Sequence, residues 1–130
     1  MIARLSAYAP YSHALLRVVT GLLFVHGGLM ILFNIPASIH PAPEEGMATL
    51  MAVAGWMELL GGVLILVGFL TRPVAFILSG MMAMAYWGFH APMNFWPANN
   101  FGIAAILFCF IFLHFVFAGA GPWSVDGRGR

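Results

Sequence analysis

Glu58 is a carboxylate set inside an apolar run, and that placement limits what this chain can fold into. Residues 55–73 read GWMELLGGVLILVGFLTRP, with the run stopping at Thr71, Arg72 and Pro73. In water such a helix would have no polar face to turn outward. In a bilayer it is long enough to cross, but an intramembrane ionisable group is costly and marks a functional site by default.

Composition decides between the two solvents. Of the 130 residues, 62% are hydrophobic and 7% are charged. A soluble domain carries about a quarter charged residues, so this chain cannot cover a water-facing surface. It reads as a multi-pass membrane protein. The net charge is +1 and lysine is absent, which leaves no case for nucleic acid as a partner. Cys109 is the single cysteine and lies in an apolar run, so neither an intrachain disulfide nor CxxC chemistry can arise.

A spanning helix needs roughly 20 apolar residues. Residues 14–35, 47–70, 74–89 and 101–118 meet or approach this, and they predict one domain, an all-α antiparallel four-helix transmembrane bundle. The first run is too long for a signal-peptide core, contains His26 and is followed by further spans, so it reads as a retained helix. Residues 1–13 are a short mixed lead, and 36–46 and 90–100 are polar loops. Residues 71–73 are a tight turn, with Pro73 tolerated at the start of the next helix. Residues 119–122 break the last span before a polar tail.

Arg4, Arg17, Arg72, Arg128 and Arg130 fall on one side of this layout, and the loops at 36–46 and 90–100 hold no arginine. The positive-inside rule then puts both termini in the cytoplasm. Tyr11, Trp87, Phe95, Trp96 and Trp123 fall near the interfaces, as an aromatic belt would. No internal repeat is evident.

Rise per residue converts position to depth. His26 and Glu58 both come about 18 Å from the cytoplasmic ends of their spans, Arg17 about 5 Å, His114 about 6 Å and His90 roughly 25 Å. His26 and Glu58 can therefore share a layer. By the helical period, Ala54, Gly55, Glu58, Gly61, Gly62 and Ile65 share one side of the second span. Small residues let another backbone approach, so Glu58 is expected to point inward. Ser79, Ala83, Tyr86 and His90 form a polar stripe on the third span. Arg17 and His26 lie on nearly opposite faces of the first, and Arg17 can snorkel toward the headgroups.

The plain readings of these groups are structural. His26 can simply partner Glu58, Arg17 and Arg72 can anchor topology, His90 can be solvated, and His114 can bond a backbone carbonyl. The chemical reading pairs a carboxylate with an imidazole in a low dielectric as a proton relay, which would suit a quinone head group. Haem would need two histidines at one level on facing helices, and His26, His90 and His114 are not level. A metal set of His26, Glu58 and His90 lacks any i, i+4 ligand pair.

The motifs resemble the DoxX family of small bacterial membrane proteins. They are Leu15-Leu16-Arg17, Gly21-Leu22-Leu23-Phe24 and His26-Gly27-Gly28 in the first span, then residues 55–72 around Glu58. Phe95-Trp96-Pro97, Asn100 and Gly119-Ala120-Gly121-Pro122-Trp123-Ser124-Val125-Asp126 follow. Ile31 and Ile103 stand where the family often has lysine and glutamate. Related proteins include the membrane subunit of a thiosulfate:quinone oxidoreductase, and others are linked to redox stress or sulfur metabolism. The resemblance implies a redox-associated subunit of the bacterial inner membrane that handles a quinone or a similar hydrophobic molecule. Glu58 and His26 would exchange protons with it, while Arg17, Arg72, Tyr86, His90 and Asn100 would bind it, His90 and Asn100 at an outer mouth. The alternative is an accessory or assembly subunit of a larger membrane complex, with no chemistry of its own; protein partner subunits or a homo-oligomer, and the lipid bilayer, are the expected partners.

Overall fold

Pro10 sits in the first turn of the longest helix, where its preset φ suits the helix and its missing N–H would have gone unpaired anyway. The computed structural model describes residues 2–39 and 42–128. In it α1 runs Ile2–Ser6 and α2 runs Ala9–Phe33, so the first span starts before Ala14 and absorbs much of the expected lead. Asn34, in the left-handed conformation at φ 55°, ends α2. Residues 40 and 41 of the following loop and Arg130 of the arginine pattern lie outside the described residues.

Helix α3 runs Glu45–Val67 and α4 runs Thr71–Ala85. The turn between them is therefore 68–70, not 71–73. Gly68 takes φ 68° and Leu70 φ 51°, which ends α3 early and makes Thr71, Arg72 and Pro73 the first turn of α4. The Leu70 N–H donates to Asp126 Oδ1 at 3.0 Å, so the tail fixes this turn. Beyond α4, Tyr86–His90 forms a π-helix, closed by the Ala91 N–H donating to the Tyr86 carbonyl at 2.8 Å. Helix α5 runs Ile103–Ala118.

The described residues contain helices and no strand. Two helices, Ala9–Phe33 and Glu45–Val67, are long and apolar enough to cross a membrane, and Ile103–Ala118 is a shorter apolar helix. The chain divides into two compact units. One holds α2, α3 and the tail from Ala120; the other is Thr71–Gly119.

In the first unit the helices meet backbone to backbone. A Cβ on Gly21 would lie 2.6 Å from Leu66 N, and one on Gly28 would lie 2.5 Å from Leu59 N. Only glycine allows this approach, which is how helices associate where lipid removes the hydrophobic drive between them. Gly55, Gly61, Gly62 and Ile65 are buried, so the small-residue face of the second span does turn inward. The tail then runs along the end of α3, with the Val125 N–H donating to the Val67 carbonyl at 3.1 Å and the Asp126 N–H to the Gly68 carbonyl at 2.9 Å. The second unit buries Ala75, Leu78, Phe112 and Phe115 between α4 and α5, and Ser79 Oγ donates to the Cys109 carbonyl at 2.9 Å. Tyr11, Trp87, Phe95, Trp96 and Trp123 are all exposed.

Candidate functional site

Glu58 lies one turn from Gly55 and from Gly61 and Gly62, so its side chain leaves α3 toward α2. Its Oε2 rests on the backbone of Gly27, where a Cβ would collide with it. The seat exists because residue 27 has no side chain. Glu58 is half-buried there, and among the described residues it has no hydrogen bond or ion pair.

His26 adjoins that seat along the chain, about 3.8 Å away at the Cα level. The structure gives no hydrogen bond between His26 and Glu58. His26 is exposed, on the face that carries exposed Val19, Leu22 and Leu23. Gly27 brings the carboxylate and imidazole into one layer, as the depth count anticipates, but it does not join them.

Arg17 differs from its expected behaviour. It does not snorkel, because its exposure is 0%. Its Nη1 donates to the carbonyls of Ile65 at 2.8 Å and Leu66 at 2.5 Å. Nε donates to Ala120 at 2.8 Å, and Nη2 to Trp123 at 2.7 Å and Pro122 at 3.3 Å. A guanidinium has five N–H donors, and all are engaged with backbone. Arg17 thus ties the end of α3 to the tail and has no donor left for a ligand in this conformation. Gly68 makes the fit, since a Cβ there would lie 3.1 Å from the Arg17 guanidinium carbon.

Arg72 repeats the arrangement in the second unit. Its Nη1 donates to Val116 at 2.7 Å and Phe117 at 2.8 Å, three and two residues before Gly119. Ile65 and Leu66 stand three and two residues before Gly68. Gly119 also has positive φ, 77°, and packs against the guanidinium, 3.2 Å from Nη2 to where its Cβ would be. The sequence shows no repeat, yet each hairpin uses an arginine from its first helix to cap the carbonyls that end its second. Positive charge is favourable at that end of a helix.

A polar cluster lies at the other end of α4. Asn100 is 0% exposed. Its Nδ2 donates to the Asn94 carbonyl at 2.9 Å and contacts the Tyr86 hydroxyl at 3.5 Å, and its Oδ1 accepts from the Gly102 N–H at 2.8 Å. His90 Nδ1 is 2.8 Å from the Asn100 carbonyl oxygen. A carbonyl only accepts, so Nδ1 carries the proton in this contact, and Nε2 is the ring nitrogen that the contact does not use. Asn100 therefore organises the loop, and Tyr86 and His90 are the half-buried groups it holds. His114 is exposed, with its ring 5.9 Å from that of Phe115. Among the described residues no three of histidine, cysteine, aspartate and glutamate group as metal ligands.

Gly27, Asp126 and Asn94 were not singled out as part of the site by sequence reasoning. For Gly27 a signal was present, because it shares the predicted depth of Glu58 on the facing helix. The roles of Asp126 and Asn94 depend on loop geometry that no periodicity encodes.

The chain is similar to curated proteins along nearly its whole length. An uncharacterised protein of Haemophilus influenzae is 36% identical over 127 residues, covering 95% of each chain. An uncharacterised membrane protein of Mycobacterium tuberculosis is 27% identical over 139 residues, covering 95% of this chain and 85% of its own. No solved structure matches. The DoxX family model matches residues 12–91, a stretch that holds the Gly27 seat, Glu58 and both capping arginines, and the chain belongs to the DoxX family of membrane proteins.

Proposed function

We propose that this protein is a redox-associated subunit of the bacterial inner membrane that binds a quinone or a similar small hydrophobic molecule at Glu58. The reading rests on one observation. The Glu58 carboxylate sits on Gly27 between two apolar helices, with no hydrogen-bond or ion-pair partner among the described residues. An intramembrane carboxyl of this kind needs a partner. Protonated, it donates to a quinone carbonyl; ionised, it accepts from a quinol hydroxyl. His26, beside the seat, is the second proton-exchanging group. In the other hairpin His90 Nε2 and the Tyr86 hydroxyl are the groups available to a ligand, with Asn100 holding them.

The same reading takes the chain as a four-helix transmembrane bundle with both termini cytoplasmic, supported by the distribution of its arginines. The test is to purify the protein in native lipid and extract it for quinone. Bound quinone that falls in Glu58→Gln is the expected result. Quinone absent from the wild type, or retained equally by the variant, overturns the reading.

A second reading, a non-catalytic accessory subunit, is favoured by His26. Its imidazole stands exposed among apolar side chains, where a polar group from another subunit would satisfy it. Mild pull-down from unmodified membranes decides this, because recovery of the chain alone or only with itself excludes it.

A further inference from the structure

The two capping arginines are built alike and finished differently. At Arg17, Nη1 holds the helix end while Nε and Nη2 are taken by the carbonyls of Ala120, Pro122 and Trp123. At Arg72, Nη1 holds the helix end in the same way, but the side chain is exposed. Among the described residues neither Nε nor Nη2 of Arg72 has an acceptor.

We infer that Arg72 is a binding site for the phosphodiester of an anionic phospholipid, whose oxygens take the positions that tail carbonyls take at Arg17. Three features fit this ligand. The free Nε–Nη2 edge is the planar fork that matches phosphate oxygens two at a time. Its charge is fixed near the end of an apolar hairpin, the level at which headgroups lie. Phe76, one turn along α4, is 67% exposed, and Phe117, whose carbonyl Arg72 binds, is 74% exposed, so apolar surface continues from the guanidinium for acyl chains to follow. A free phosphate would use the fork and leave those rings bare. Gly119 keeps the fork accessible, since a Cβ there would stand 3.2 Å from Nη2.

The test is native mass spectrometry of the delipidated full chain in detergent, titrated with dioleoyl-phosphatidylglycerol, with dioleoyl-phosphatidylcholine and with inorganic phosphate. A saturable phosphatidylglycerol adduct is expected, weaker with phosphatidylcholine and absent with phosphate alone. Losing a charge-assisted bidentate pair should weaken it about tenfold in Arg72→Gln. Arg72→Gln also loses the α5 cap, so two further variants accompany it. Arg72→Lys can still reach a helix carbonyl but has no fork, and Phe76→Ala leaves the guanidinium intact. Both should keep the wild-type melting temperature and bind phosphatidylglycerol several-fold more weakly, in line with lost charge-assisted bonds and lost apolar contact. Wild-type lipid binding in Arg72→Lys, or inorganic phosphate binding as tightly as the lipid, overturns the inference.

Discussion

Arg17 Nη1 lies 2.8 Å from the carbonyl oxygen of Ile65, at the point where α3 ends and the chain must turn. A buried guanidinium surrounded by backbone carbonyls is a structural part. The charge is stabilised because each donor has a partner; the Leu66 carbonyl gains a donor at the helix end, and the Ile65 carbonyl adds one to the Gly68 N–H it already accepts.

Arg17→Gln should therefore destabilise the first unit by about 3 kcal/mol or more, because several buried acceptors lose a charged donor together. Arg17→Lys should recover only part of this, since one ammonium cannot reach both the α3 carbonyls and the tail. Unfolding in mixed micelles measures the loss, and limited proteolysis after residue 119 reports release of the tail. Wild-type stability in Arg17→Gln would show that the tail is held by other means.

Gly27 and Gly28 are neighbours with different jobs. A Cβ at 27 meets only the end of the Glu58 side chain, which can rotate away. A Cβ at 28 meets Leu59 N at 2.5 Å, and a backbone cannot rotate away. Gly27→Ala should change stability by less than about 1 kcal/mol, whereas Gly28→Ala should cost about 1–3 kcal/mol as the helices part. If Glu58 binds a ligand, Gly27→Ala should also lower bound quinone without lowering the melting temperature. Equal destabilisation by the two variants would contradict the seat described for Glu58.

This contrast also marks how far the sequence carries. The inward turn of Gly55, Gly61 and Gly62 follows from helical period alone, and the common layer of Glu58 and residues 26–28 follows from counting rise. Arg17 is different. Its position near one end of a span is the same whether it snorkels or is buried, and only the return of residues 120–123, more than a hundred positions later, decides. The turn at 68–70 is equally hidden, because the apolar run continues through Phe69 and Leu70 after Gly68 has ended the helix. The π-helix is hidden too, since Tyr86 and His90 share a stripe in either helical form.

Asn100 supplies the last test. It is buried beside the Gly102 N–H, which is itself buried and has Asn100 Oδ1 as its acceptor at 2.8 Å. Asn100→Ala leaves that N–H without a partner and releases the Asn94 carbonyl, at a cost of about 2–3 kcal/mol to the second unit. Asn100→Asp keeps an acceptor for Gly102 but loses the donor to Asn94, and it must bury a charge or take up a proton. It should therefore behave like the alanine variant and not like wild type. Hydrogen exchange separates this account from a general loss of packing. Amides of residues 91–102 should exchange faster in both variants, while those of α2 and α3 stay protected. Unchanged exchange at Gly102 would mean that Asn100 does not hold the loop that places His90.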